Sequence, residues 1–266
     1  MAVFSAEMSE INIVHNVLKA VPTNDYAIVR PMEEGLKIVI ENSKSSEIAI
    51  YLPSELFSHY HIDNEADVMF KIQLKRFIDC LHIFGDEGNP SMKLSYRQEG
   101  APFILIIKHS EENIIVDCEF ATMTVDDYQE VYLLEECNEN TIVFNGDGLI
   151  DVLSDIDISS DDYEVTISNN LPNFQLTTNS ILGQSTINIP KESKVVAIFN
   201  CKEEFQARYD FSTLRNIMKV IMLASKISLS TGKTGLMGLN MIIQHEEHRV
   251  HIEYFFTAQF SDDDTM

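Results

Sequence analysis

Four stretches of this chain carry one apolar stripe at helical spacing: Ile11, Val14, Leu18 and Val21; Leu74, Phe77, Ile78 and Leu81; Leu149, Val152, Leu153 and Ile156; Leu214, Ile217, Met218 and Ile221. The residues between them alternate apolar and polar with the period of strands. A helix with a single apolar stripe must lay it on something, and period-two runs supply a sheet with a matching face. The pattern predicts one folding unit used four times. The first anchors, at residues 11, 74, 149 and 214, are 63, 75 and 65 residues apart, so the longer middle step predicts a linker.

The order of elements repeats. In the first half, Leu36, Ile38 and Ile40, then Ile48, Ile50 and Leu52, then Phe70 and Ile72 read as strands before the second helix, and further strands follow around Leu94, Phe103 to Ile107 and Ile114 to Phe120. In the second half, Val165 and Ile167, Phe174 and Leu176, Ile187 and Ile189, then Phe205 to Phe211 precede the fourth helix, with strands around Ile227, Met241 and Tyr254 after it. Helices on one face of antiparallel sheets make this an α+β chain of two similar halves, which predicts a crescent with helices on one side and sheets on the other. The boundaries fall at 1–121, a connector at 122–140, 141–259 and an acidic tail at 260–266 that reads as disordered. The connector is acidic with an apolar centre, Val131, Tyr132, Leu133 and Leu134, which either packs on a sheet or stays available to a partner.

A chain of 266 residues, 45% of them hydrophobic, can bury a core in each half. No apolar run approaches the ~20 residues of a membrane span. The first ten residues carry Glu7 and Glu10 where a secretory leader would be basic and then apolar, so no membrane partner and no secretory route are expected. Cys80, Cys118, Cys137 and Cys201 are scattered singly, which suits a reducing compartment and small buried hydrophobes.

The net charge of −23 argues against phosphate as a partner until the position of the charges is considered. Acids crowd the loops and tail, at Asp126 and Asp127, Glu135 and Glu136, Asp155 to Asp162 and Asp262 to Asp264. Bases gather on the polar faces of the helices. Helix one leaves Asn12, His15, Asn16 and Lys19 outside; helix two leaves Lys75, Arg76, Asp79 and His82; helix four leaves Arg215, Asn216 and Lys219, with Lys226 just beyond. Lys71 and Arg208, on the strands entering helices two and four, are expected to extend those clusters. Helix three breaks the pattern with Asp147, Asp151, Ser154 and Asp155. A basic surface without interleaved aromatics or a base-reading helix suits sequence-independent phosphate contact.

Other chemistry reads weakly. Gly232, Lys233 and Thr234 imitate the end of a phosphate loop, but Ile227 stands where that motif needs glycine, so a hairpin turn is predicted. His245 and His248 are one residue closer than the zinc-protease motif demands, since Arg249 holds the position of its second histidine. His59, His61 and Asp63 read as a solvated loop, not a metal site. Asp155, Asp157, Asp161 and Asp162 could hold magnesium for a 3'-5' exonuclease, yet no companion base accompanies them. No cofactor and no metal is expected.

Three stretches carry a family resemblance: GLKIVIENSK from Gly35, FIDCLHIFGD from Phe77 and HIEYFF from His251, the last followed by an acidic tail. Here the chain resembles the Rad-one family of subunits of the nine-one-one DNA-damage checkpoint clamp. More broadly, from about Phe4 to Gln259, its element order is similar to the sliding-clamp superfamily of the proliferating-cell nuclear antigen.

The resemblance implies a ring of three two-domain crescents, with antiparallel sheets outside and four helices per chain inside, enclosing double-stranded DNA. It implies two non-identical clamp subunits as partners, an ATP-dependent loader, checkpoint and repair proteins, and a nuclear location. Lys19, Lys75, Arg76, Arg215, Lys219 and Lys226 would face the DNA. The strand with Val116, Cys118 and Phe120 and the strand with Thr186 and Asn188 would be the two subunit edges, since open edges need cover. Tyr132, Leu133 and Leu134 would border a partner site on the connector. The function implied is a damage-site platform without enzymatic activity; a homotrimeric polymerase clamp is the alternative, and the exonuclease a weaker one.

Overall fold

The computed structural model describes residues 2–22, 25–43, 46–63, 68–85, 90–109, 111–126, 128–131, 138–154, 156, 159–181 and 183–259. Tyr132, Leu133, Leu134, Cys137, Asp155, Asp157 and the tail from 260 lie outside them. The chain divides into two compact units: Met1–Asn42, Ile48–Glu130 and Gln244–His251 form one, and Ser43–Glu47, Val131–Ile243 and Ile252–Met266 form the other.

The first half of the chain runs β1 (Phe4–Met8), α1 (Asn12–Ala20), β2 (Tyr26–Met32), β3 (Gly35–Ser43), β4 (Ser46–Pro53), β5 (His59–Ile62), β6 (Phe70–Gln73), α2 (Leu74–Leu81), β7 (Ser91–Tyr96), β8 (Phe103–His109) and β9 (Ile114–Phe120). The second runs β10 (Asn138–Asn145), α3 (Gly146–Leu153), β11 (Asp162–Ile167), β12 (Phe174–Ser180), β13 (Gly183–Ile189), β14 (Val196–Cys201), β15 (Phe205–Asp210), α4 (Phe211–Ile221), β16 (Lys226–Gly232), β17 (Leu236–His245) and β18 (His248–Thr257).

The repeat expected from spacing recurs in the hydrogen bonding. Strands β5-β1-β7-β8-β9 lie side by side in the first half, as β14-β10-β16-β17-β18 do in the second. The other layer is ordered β6-β2-β3-β4 and, correspondingly, β15-β11-β12-β13. Each helix starts the same way as its counterpart. The Ile11 N–H, just before α1, donates to the Pro90 carbonyl and the Gly146 N–H of α3 to Ser225, in both cases just before a strand of the first layer. The Leu74 N–H of α2 donates to Asp25 and the Phe211 N–H of α4 to Asp161, just before β2 and β11. These bonds satisfy N–H groups that a helix start leaves orphaned. Asp210 adds a side-chain cap to α4, accepting from the Ser212 N–H at 2.7 Å. Gly146 leaves no room for a side chain, because a methyl group there would collide with the Ala224 carbonyl.

Every anchor of α1 and α2 is buried, as are Leu149, Leu153, Leu214, Ile217 and Ile221 on α3 and α4. In the first unit, α2 lays Phe77 on Phe103 and Phe120, and Phe70 of β6 stacks on Tyr96 of β7 with ring centroids 4.1 Å apart, so both sheet layers and the helix share one core. In the second, Tyr209 stacks on Tyr163 and meets Phe256 edge-on. Gly232 to Thr234 fall where β16 turns antiparallel into β17, with Gly235 at φ 75°: the hairpin turn expected of them.

Burial raises the pKa of four tyrosines, which the core keeps as neutral phenols. Tyr60 and Tyr254 are pushed up to about 12, and Tyr163 and Tyr209 are raised as well. The phenols of the unfolded chain ionise near ~10. The stability these residues contribute is fully present below that pH and is lost as pH rises through the folded values. Alkaline titration followed by circular dichroism should show a constant fold up to about pH 10 and unfolding between about 10 and 12, with part of the tyrosine absorbance change arriving only on unfolding. Early, non-cooperative ionisation of all nine tyrosines would contradict this burial.

Candidate nucleic-acid interface and subunit edges

The apolar stripes fix which helix residues face solvent. Lys19 on α1, Lys75, Arg76 and Asp79 on α2, and Arg215 and Lys219 on α4 are exposed, as is Lys226 at the start of β16. Within the first unit α1 packs beside α2, so Lys19, Lys75 and Arg76 stand on neighbouring helices. Arg76 holds its guanidinium 5.8 Å from the Phe120 ring centre, and Arg215 lies 5.3 Å from that of Phe211, one turn earlier on α4. On α3, Asp147, Asp151 and Ser154 are exposed, so its acidic face stands as expected.

His59 and His61, expected in a solvated loop, lie on β5, paired with β1. Four residues of the helix clusters and edges also depart from the sequence expectation. His15 is not on the exposed face: it is 5% exposed and stacks on His82 across the α1–α2 contact, ring centroids 4.5 Å apart and 9° from parallel. Lys71 and Arg208 do not extend the helix clusters. Period two turns their neighbours Phe70, Ile72 and Tyr209 into the cores, so the two bases point away from the helices. Lys71 pairs with Glu41 at 3.4 Å and Arg208 with Asp162 at 3.7 Å. Phe120 is buried beneath α2, touching Phe77, so its side chain belongs to the core and not to an exposed edge.

The strands expected to serve as edges are edge strands. Among the described residues, β9 pairs with β8 alone and β13 with β12 alone. On β9, Ile114 and Ile115 are 43% and 59% exposed while Val116 and Cys118 are half-buried; on β13, Thr186 and Asn188 are exposed. Asn188 accepts from the Gln175 amide at 2.9 Å, and Thr186 faces Thr177. The cysteines are less isolated than their spacing implied. Cys80 on α2 meets Cys118 on β9, and burial, reinforced by that neighbouring thiol, pushes Cys80 up to about 11.

Among the described residues, no cluster of three or more His, Cys, Asp or Glu is placed to hold a metal. No described helix is long and apolar enough to cross a membrane. The described part of the connector is tied to the first unit. Met123 and Lys71 exchange backbone hydrogen bonds at 3.0 and 2.9 Å, and Val125 and Tyr128 pack on Ile28, Val39 and Ala49.

Paired edge strands, four short helices with like starts and a doubled strand order form the two-domain clamp architecture. The family described as "Repair protein Rad1/Rec1/Rad17" matches residues 3–243. The chain belongs to that family. Among curated relatives, it is 27% identical to "DNA repair protein Rad1" of Drosophila melanogaster over 266 aligned residues, covering 98% of this chain and 95% of the relative. It is 27% identical to "Cell cycle checkpoint protein RAD1" of Mus musculus over 255, covering 94% and 90%. "DNA damage checkpoint control protein RAD17" of Eremothecium gossypii is 26% identical over 264, covering 91% of this chain and 67% of the relative. The Rad1-family chain thus matches its animal relatives along nearly their whole length, with antiparallel sheets and helices in clamp order.

Among the described residues, Arg76 covers a ring and Lys75 covers none. Replacing Arg76 by Gln should cost about 0.5–1 kcal/mol, the usual worth of an exposed cation–π contact. Replacing Lys75 by Gln should stay within about 0.5 kcal/mol. Urea unfolding of both variants measures the contrast, and equal losses would remove the ring contact from the account.

Proposed function

We propose that this chain is a non-enzymatic subunit of a heterotrimeric ring that encircles double-stranded DNA at damage sites in the nucleus. There it serves as a platform for checkpoint and repair proteins. The observation that carries the reading is the sorting of charge: in a chain of net charge −23, the exposed faces of α1, α2 and α4 carry Lys19, Lys75, Arg76, Arg215 and Lys219. Relatives named for DNA repair and for the cell-cycle checkpoint support the setting.

Retention in such a ring is topological. Weak, sequence-independent phosphate contacts permit sliding, and closure prevents loss. Among the described residues, β9 is the edge of one sheet and β13 the edge of another, and through these edges two different partner subunits would add their own strands. Val116 and Cys118 on one edge, and Thr186 and Asn188 on the other, are the side chains these partners would meet. In this reading a separate ATP-dependent loader opens the ring, as the family resemblance implies. The acidic α3 gives this subunit an uneven lining, which suits a ring whose other members carry part of the DNA contact. Tyr132, Leu133 and Leu134 remain the proposed connector site for partner proteins.

Reversing Arg215 and Lys219 to Glu should weaken DNA association of the assembled ring and lower its salt slope by roughly 1–2, since each phosphate contact contributes about 0.9. The wild-type ring should persist on closed circular DNA and run off a short linear fragment. Equal residence on both, or an unchanged slope, would defeat the reading. A stable homotrimer of the purified chain would redirect it to a polymerase clamp.

A further inference from the structure

Cys80 and Cys118 stand thirty-eight residues apart in the chain and meet where α2 rests against β9. Register and helical spacing bring them together. Antiparallel pairing sets Val116, Cys118 and Phe120 opposite Ile107, Leu105 and Phe103 of β8, which are all buried, so Cys118 faces the core side of its sheet. On α2, Phe77 rests on Phe120 with ring centroids 5.6 Å apart and Arg76 lies over the same ring. Cys80 follows these two residues by one turn, and Cys118 precedes their shared target by two residues on the same strand face. The two thiols are in hydrogen-bonding contact, and both residues are half-buried.

That arrangement leaves two sulfurs within reach of each other and of solvent. Cys201, also half-buried, instead donates its thiol to the Glu203 carbonyl at 3.3 Å. The strand that carries Cys118 has much to gain from a second attachment. Among the described residues, β9 is held in its sheet by β8 alone, and an edge strand frays before a central one. A covalent link to α2 would fasten it from the other side.

We propose that Cys80 and Cys118 are a peroxide-responsive dithiol that closes into an intramolecular disulfide and latches edge strand β9 to α2. The oxidant is hydrogen peroxide. The Cys118 thiolate attacks one peroxide oxygen, the O–O bond breaks and hydroxide leaves; the Cys80 thiolate then attacks the sulfenic sulfur, the S–S bond forms and a second hydroxide leaves. The two thiol protons turn both hydroxides into water, so two thiols and one peroxide give one disulfide and two waters. Cys118 takes the first step because burial holds Cys80 in its neutral thiol form, and Arg76, one turn before Cys80, favours the thiolate needed for the second. Half-exposure lets a thiol reductant reopen the bond, which makes the latch reversible in a reducing compartment. It belongs to the single chain and does not depend on ring assembly.

Treating the reduced full-length chain with hydrogen peroxide under native conditions, then alkylating, denaturing and mapping peptides by mass, tests the closure. The four thiols should fall to two, with the Cys80 and Cys118 peptides linked, and dithiothreitol should restore all four. Amide hydrogen exchange of residues 114–120 should slow roughly tenfold in the oxidised chain. In a Cys80→Ser variant, Cys118 should stop at a sulfenic acid trapped by dimedone. Cys118→Ser should slow peroxide oxidation of Cys80 by about tenfold or more, whereas Cys201→Ser should form the link at the wild-type rate. A chain that keeps its four thiols, a link that uses Cys201, or exchange of β9 unmoved by closure would each overturn the proposal. The wild-type peptide map decides the linkage even where a serine variant does not fold.

Discussion

Helices of eight to eleven residues hold this chain's proposed functional surface, and helices that short do not persist in water on their own. They exist because each seats an apolar stripe on a core shared by two sheet layers and because each first N–H lands on a carbonyl just before a strand. The direction in which Lys75 or Arg215 points is therefore decided by Leu74, Phe77, Leu214 and Ile217, not by the bases themselves. An exposed base costs the fold little. This leaves the outer faces free to vary between α3 and α4, one acidic and the other basic, while the seats beneath them stay alike.

The same division explains how a strongly acidic protein can approach a polyanion. Exposed charges farther apart than about 8–10 Å are largely screened at physiological salt, so the local arrangement outweighs the total. Asp126 lies on the connector and Asp161 and Asp162 near the start of β11, whereas Lys19, Lys75 and Arg76 share one pair of neighbouring helices. The surplus of acid keeps the rest of the surface from binding nucleic acid without selection. On the proposed reading it narrows productive contact to the helix faces.

Much of this was legible in the sequence because periodicity reports which way a side chain must turn. The four stripes and the doubled element order follow from it, whereas the hairpin at Gly232 follows from its turn residues and the edge strands were implied by the family resemblance. His15 was legible too: residues 11, 14, 15 and 18 are one apolar face, and only its residue type suggested solvent. Lys71, between Phe70 and Ile72, was likewise placed by alternation, away from the helices. Phe120 shares the parity of Val116 and Cys118, but its burial comes from α2, about forty residues earlier in the chain, and no local pattern reports that. Lys37 is the clearest case, since a strand lysine beside Leu36 and Ile38 reads as solvated until a connector from the far end of the half covers it.

That covering inverts the usual relation between linker and domain. A connector that merely spanned two folded bodies would have no cause to bring a carboxylate to a pair of opposed cations, nor a tyrosine to an apolar patch between strands. Its sequence would need only length and polarity. Here the acid, Glu130, and the ring, Tyr128, sit two residues apart and meet a sheet face on which Arg30 and Lys37 oppose each other in register beside the apolar surface of Ile28, Val39 and Ala49. The mutual fit makes the connector a ligand tethered to its own site. Tethering gives it a high effective concentration, so contacts that would be weak between separate molecules suffice to hold it there.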